Sequence, residues 1–351
     1  MKLTYQLRNN AAEPLMPIVN ISSFSGGKDS MALHLLAIER EAENLEPVTT
    51  DTGHESKITY DYIDYVSEWL DKRGHKPVRT IRADYTEEFA RRRRMMERVI
   101  AGEHNERAGS KYIWTPEVAA QALEYLQPTG NPFLDMCLVH GRFPSTRVRF
   151  CSEELKRNPL LEQIHMPLME AGNIVMSWQG VRADESPSRA ALPERDLVGG
   201  TPNGGELWNY RPILQWTVEE VFAMHRKHGV DPNPLSSQGM GRVGCMPCIH
   251  ANKNELLEIS RRFPEEVERL AKWEELVRKV SKTGTATFFA MDKTGGGAGQ
   301  VATDATLETK GIHAVVEWAK TSRGGKQFDF FRVGGEREEG PLCSSIYGLC
   351  E

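Results

Sequence analysis

Between an apolar run, Ile18-Val19-Asn20-Ile21, and a helically spaced run, Met31-Ala32-Leu33-His34-Leu35-Leu36, the chain places Ser25-Gly26-Gly27-Lys28-Asp29-Ser30. That order predicts a strand, a glycine turn and a helix N-terminus. Adjacent glycines let the backbone approach an anion without Cβ obstruction, and the N–H groups of a helix start point at it. Lys28 adds a mobile positive charge. Together they describe a phosphate cradle, against the plainer reading of an ordinary strand–helix turn. The pattern G-x-x-x-x-G-K-[ST] does not fit, because the residue five before Gly27 is Ser22.

The first hundred residues repeat the alternation. Strands are predicted over 17–23, 46–50 and 77–82, and helices over 29–43, 56–72 and 86–100. A βαβαβ order implies an α/β, doubly wound, mostly parallel sheet with helices on both faces. At 351 residues, with 39% hydrophobic and 26% charged residues, the chain has the make-up of a soluble globular protein large enough for two moderate domains. No apolar run approaches membrane-spanning length, and MKLTYQLRNNAAEP lacks a signal-peptide core, so a cytoplasmic protein with no membrane partner is expected. A net charge of −5 excludes a global basic field but not a local one.

Further along, an irregular stretch at 101–150 surrounds a helix near 116–126, and a helix from Ser152 to about Gly172 leads into a strand at 173–178. Residues 183–206 read as a Pro/Gly/Arg-rich loop of the kind that closes over a ligand. Helices follow at 217–228, 251–260, 264–281 and 311–320. The expected division is a nucleotide-binding domain over 1–215 and a smaller helical, cysteine-bearing part over 216–351.

Three polar constellations carry candidate chemistry. Asp51-Thr52-Gly53-His54-Glu55 ends the second strand, where open α/β sheets bind ligands, so Asp51 and the glycine turn should share a crevice. A carboxylate there suits Mg2+ or adenosine hydroxyls, or serves only as a helix cap. After strand 173–178, Gly180 permits close backbone approach, while Arg182 and Arg189 offer forks suited to phosphate oxygens. The third constellation is the cysteines: Cys245-Met246-Pro247-Cys248, Cys151 at a predicted helix start, Cys137, and Cys343 and Cys350 in the tail. A C-x-x-C pair alone is compatible with zinc, a redox pair or the corner of an iron–sulfur cluster. The run Arg91–Arg94 wraps most of one helical turn, so it cannot all face a core; it reads as a solvated face or a nucleic-acid backbone contact.

SGGKDS resembles the PP-loop of the ATP-pyrophosphatase superfamily. The ordered set FSGGKDSMALHLL, DTGHE, RFCSEELKRNPL, WQGVRADESPSR, NYRPILQWTVEEVF and NPLSSQGMGRVGCMPC resembles the phosphoadenosine-phosphosulfate (PAPS) reductase family, of the adenine-nucleotide α-hydrolase fold, over about residues 20–250. The resemblance implies that Ser25, Gly26, Gly27, Lys28, Asp29 and Ser30 hold the pyrophosphate of ATP, with Asp51, Gly180 and Arg182 beside them. Lys28, Asp29 and Arg182 would then act in catalysis, and Mg2+ would enter through Asp29 or Asp51. It also implies a [4Fe–4S] cluster on Cys151, Cys245, Cys248 and a further cysteine, Cys343, Cys350 or Cys137.

Sulfonucleotide reductases of this family have a degraded loop and a Glu-Cys-Gly-(Ile/Leu)-His tail. This chain keeps the loop, ends in Tyr347-Gly348-Leu349-Cys350-Glu351, and carries Ser152 where the reductase type has a second adjacent cysteine. Having both loop and cysteines looks most like the sulfurtransferase of DNA phosphorothioation and, more distantly, like iron–sulfur tRNA thiolation enzymes. The expected activity is ATP-dependent adenylylation in sulfur chemistry, with a nucleic-acid acceptor and a sulfur-donor protein such as a cysteine desulfurase as partners. The alternatives are a PAPS or adenylyl-sulfate reductase and a nucleotide-sensing subunit without turnover.

Overall fold

The computed structural model describes residues 16–103, 113–237, 240, 243–289 and 310–322. Their chain forms two compact units: one holds the described residues up to Arg82 and from Lys156 to Cys245, the other those from Ala83 to Leu155 and from Met246 onward.

The first unit is the α/β layer. Strands β1 (Ile18–Ser23), β2 (Leu45–Thr50), β3 (Arg79–Ile81), β4 (Ile174–Trp178), β5 (Arg195–Gly200) and β6 (Glu206–Tyr210) form one sheet in the order β3-β2-β1-β4-β6-β5. All neighbours are parallel except β5, which runs antiparallel to β6. The chain moves outward from β1 through β2 to β3, then crosses to the other side of β1 for β4. The direction of winding therefore reverses between β1 and β4, which opens a crevice at their carboxyl ends.

Helices cover both faces of this sheet. Helix α1 (Lys28–Glu39), α2 (Lys57–Asp71) and the helix Val218–His228 build one hydrophobic layer with Phe24, Trp178 and Tyr210. On the other face, Ile164 and Met169 pack with Ile21, Val48, Ile81, Val175 and Leu207. Every residue of α1 from Asp29 to Ala37 is buried, which marks an interior helix rather than an amphipathic surface one. It includes His34, whose pKa burial lowers to about 3, so the ring is neutral.

The sheet differs from the sequence reading at 183–206. What reads as a ligand-closing loop holds a 3-10 turn (Ala183–Glu185), a short helix (Pro187–Ala190) and β5. β5 is an edge strand with Leu197 and Val198 about half exposed, so it lacks the apolar alternation that signals a strand. The division at 215 also differs from the observed units. Helix Val218–His228 packs on α1 and stays in the first unit, while residues 83–155 belong with the C-terminal segment.

The helix expected from Ser152 to Gly172 is α-helical at Phe150–Ser152, Asn158–Leu160 and Met166–Glu170, with π-turns at Glu153–Arg157 and Leu161–His165. Pro159 and Pro167 lack the N–H of a regular ladder, and such interruptions accompany wider turns.

The second unit is helical: α3 (Thr86–Ile100), α4 (Pro116–Tyr125), α5 (Pro132–His140), then Lys253–Arg262, Pro264–Lys279 and Ile312–Ala319. Its core includes Phe133 stacked on Trp273 with centroids 5.7 Å apart. The Arg91–Arg94 run is not wholly solvated. Arg93 donates to the carbonyls of Leu123 and Leu126 at 2.9 and 2.8 Å, and Arg92 lies 5.1 Å over the Trp114 ring. Arg91 and Arg94 remain exposed. Among the described residues, no helix is long and apolar enough to cross a membrane.

Candidate functional site

The turn from β1 into α1 lies at the point where the winding reverses. Gly26 has φ +75°, and a Cβ on it would meet the Thr59 Cγ2 at 2.9 Å. Both backbone and space therefore require glycine there. Gly27 is the N-cap of α1 and makes no side-chain cap. A helix start left without a side-chain acceptor is a ready anion site. Ser30 Oγ donates to the Gly27 carbonyl at 2.9 Å and accepts from the Ser25 amide at 3.2 Å, so its hydroxyl closes the loop on itself.

Asp29 is fully buried between two cations. Its Oδ2 accepts from Lys28 Nζ at 2.8 Å and its Oδ1 from Arg182 Nε at 2.6 Å. Arg182, expected as a phosphate clamp, is itself buried and also donates to Asp184 at 2.6 Å. These contacts make it a brace between the exits of β1 and β4. Arg189 is likewise buried and pairs with Glu185. Gly180 completes the junction: a Cβ there would lie 3.1 Å from the Ser30 amide nitrogen and 3.2 Å from the Asp29 carbonyl carbon.

Asp51 stands at the end of β2 in a polar cluster of its own. Its Oδ1 accepts from the Gly53 amide at 2.8 Å and from the Tyr60 hydroxyl at 2.7 Å, and its Oδ2 from Arg82 at 2.5 Å. Tyr60 also donates to Glu55 at 3.0 Å, and burial chiefly, with the charges of Glu55 and Asp51, raises its pKa. Asp29 and Asp51, the carboxylates expected to hold Mg2+, each have both oxygens hydrogen-bonded to protein donors.

Two residues outside the predicted set hold the loop. Asn233 Nδ2 donates to the Gly26 carbonyl at 3.1 Å and to Thr59 Oγ1 at 3.2 Å. His225 Nε2 lies 2.9 Å from the Lys28 carbonyl. Thr59 in turn donates to the Val243 carbonyl, and Cys245, two residues on, forms an isolated antiparallel bridge with Glu55. Within this unit a short series of contacts thus joins the glycine turn to the first cysteine of the C-x-x-C pair.

In the second unit Cys137 is fully buried on α5, and burial, with Cys151 and Glu154 nearby, pushes its thiol pKa up. Glu154 accepts from Tyr85 at 3.2 Å and lies 2.9 Å from His140 Nε2. Cys248 is buried and Cys245 half-buried, and none of these four cysteines is in a disulfide. Cys343 and Cys350 lie outside the described residues. Among the described residues, no group of three or more His, Cys, Asp or Glu side chains could hold a metal ion. The four-cysteine set expected for a cluster is therefore not assembled by the described residues alone.

A family model, the phosphoadenosine phosphosulfate reductase domain, matches residues 19–115 and 136–251. An uncharacterized 37.8 kDa protein of Escherichia phage 186 is 45% identical over 336 residues, covering 95% of this chain and 97% of its own. The adenosine 5'-phosphosulfate reductase of Allochromatium vinosum is 43% identical over 86 residues, which are 24% of this chain and 32% of that one. Among solved structures, the phosphoadenylyl-sulfate reductase of Candida auris in a phosphate complex aligns over 65% of this chain and 82% of its own, with 15% identity and a TM-score of 0.37.

Proposed function

The chain belongs to the phosphoadenosine phosphosulfate reductase domain family, and from that premise we propose that it is an ATP-dependent adenylylating enzyme of sulfur chemistry. The observation that carries this reading is the intact loop: a left-handed Gly26, an uncapped helix start at Gly27, and Lys28 beside it. A nucleotide already lacking its pyrophosphate would have no use for such a cradle.

In the proposed reaction the loop amides and Lys28 hold the β- and γ-phosphates. An acceptor oxygen attacks the α-phosphorus, the bond to the β-phosphate oxygen breaks, and pyrophosphate leaves. Positive charge fixed beside the leaving group stabilises the negative charge that develops there. The acceptor then carries AMP, which a sulfur nucleophile displaces. Asp29 and Arg182 act as the buried ion pair that keeps Lys28 and the loop in place. Mg2+ when bound would neutralise phosphate charge, with Asp29 or Asp51 as the carboxylate that would hold it.

The family resemblance implies a [4Fe–4S] cluster whose ligands would come from Cys151, Cys245 and Cys248 with Cys343 or Cys350, and the adenylylation step draws on none of its chemistry. A nucleic-acid acceptor would meet the exposed Arg91 and Arg94, and a cysteine desulfurase is the class of protein that would supply sulfur. The test is anaerobic purification with iron and sulfide quantified, then ATP–pyrophosphate exchange with candidate acceptors. Lys28→Ala is expected to abolish exchange; unchanged turnover would refute the loop assignment.

A second reading is favoured by the partial similarity to adenosine 5'-phosphosulfate reductase. There a tail thiolate attacks the nucleotide's sulfur, the sulfur–oxygen bond breaks and the nucleoside phosphate leaves; a thiol donor then displaces sulfite from the S-sulfocysteine and forms a disulfide with that cysteine. Sulfite release without pyrophosphate exchange selects that reading.

A further inference from the structure

We propose that His225 and Asn233 are positioning residues of the phosphate loop, fastening the carbonyls of Lys28 and Gly26 from behind so that successive amides face the ligand. The inference deepens the nucleotide reading above and rests on it.

An anion cradle needs consecutive N–H groups on one side of the chain, and this fails if a single peptide plane flips. In a trans peptide the carbonyl and the following N–H point in opposite directions. The one cis bond among the described residues is Met246–Pro247, so every peptide of the loop is trans. Asn233 Nδ2 holds the Gly26 carbonyl at 3.1 Å, which turns the Gly27 amide to the opposite side. His225 Nε2 holds the Lys28 carbonyl at 2.9 Å, which does the same for the Asp29 amide. Between them the Gly27 carbonyl accepts from Met31 N at 3.1 Å and Ser30 Oγ at 2.9 Å, orienting the Lys28 amide. Three successive peptides are thereby set, that of Gly26 by a side chain some two hundred residues away and that of Lys28 by such a side chain together with the helical ladder.

The donors are well defined. Asn233 Oδ1 accepts from the Leu235 amide at 3.0 Å, so its nitrogen is the atom that faces Gly26. Both ring nitrogens of His225 face carbonyls, Nε2 that of Lys28 at 2.9 Å and Nδ1 that of Val230 at 3.3 Å; burial lowers the pKa and favours the neutral ring, and its one proton is assigned to Nε2, the shorter contact. Both side chains are at most 1% exposed, which removes water as a competing partner. Losing Asn233 strands the buried Gly26 carbonyl and frees its peptide plane to rotate, whereas losing His225 leaves the Lys28 carbonyl with its helical bond alone.

Calorimetric titration of the full chain with ATP, inorganic pyrophosphate and AMP tests this. His225→Phe and Asn233→Asp are each expected to weaken ATP and pyrophosphate about fivefold or more, the order of one hydrogen bond. AMP affinity should stay within about twofold, because AMP does not reach the loop amides. His225→Gln, which keeps a donor near the Nε2 position, should stay within about threefold of wild type for all three ligands. A merely structural role would lower all three affinities together, and that result overturns the proposal, as does unchanged pyrophosphate binding in His225→Phe and Asn233→Asp. If thermal melts show His225→Phe unfolded, the comparison of His225→Gln with the shorter His225→Asn decides: equal pyrophosphate affinity refutes the role. Wild-type protein that binds neither ATP nor pyrophosphate refutes the underlying nucleotide reading instead.

Discussion

Replacing Gly26 with alanine should destabilise the protein through two separable effects. At φ +75° a Cβ is sterically disfavoured, which costs about 1–2 kcal/mol. The same Cβ would sit 2.9 Å from the Thr59 Cγ2, and overpacking of that kind costs about 1–3 kcal/mol. The sum is about 2–5 kcal/mol. Thr59→Ser removes the offending methyl while keeping the hydroxyl that bonds Val243 and receives the Asn233 amide. Alone it should cost about 1 kcal/mol for the lost buried methyl. In the double variant the overlap vanishes and the backbone penalty stays, so the pair should be less destabilised than the sum of the singles by about 1–3 kcal/mol. Urea unfolding of the wild type, both singles and the double, with the slope of the transition compared across all four, gives the cycle. Additivity within about 0.5 kcal/mol would show that the overlap contributes nothing and would refute the packing argument.

Two further outcomes follow from the helical unit. Glu274 is buried and accepts from the Phe288 and Ile312 amides at 2.8 and 2.9 Å, and burial raises its pKa from 4.5 to about 7. The folded state then binds more protons than the unfolded one between those values, so stability contributed by this group is greatest below pH 4.5 and is lost as pH rises toward 7. The stability of wild type minus that of Glu274→Gln should accordingly fall across that window, and a rising difference in urea titrations would contradict the assignment. Arg93→Ala should cost about 1–3 kcal/mol, because two carbonyls at the end of α4 lose a charged donor. Arg91→Ala and Arg94→Ala, exposed on the same helix, should stay within about 0.5 kcal/mol in the same denaturation assay.

What the sequence revealed follows the range of the interactions involved. β1, α1, β2 and α2 are legible because their apolar spacing and glycine punctuation are local, and the observed bounds lie within a few residues of those expected. The crevice is legible for the same reason, since Gly26 and Gly180 mark close approaches that only glycine permits. β5 was not legible, because an edge strand with Leu197 and Val198 turned outward carries no burial pattern. The roles of Asp29 and Arg182 read differently in sequence, where an arginine in a loop suggests a clamp. Its partner is a carboxylate 153 positions away, which no spacing rule exposes. His225 and Asn233 escaped for a related reason. A side chain that serves a distant main-chain carbonyl has no motif, although Asn233 opens the quoted segment NPLSSQGM.

The burial of α1 from Asp29 to Ala37 has a last consequence. A rod packed over nine successive residues resists tilting or sliding, so the turn at its head is set in place by the fold itself. Little ordering entropy remains to be lost there on docking, and adjustment falls to the strand exits that frame the mouth rather than to the cradle itself.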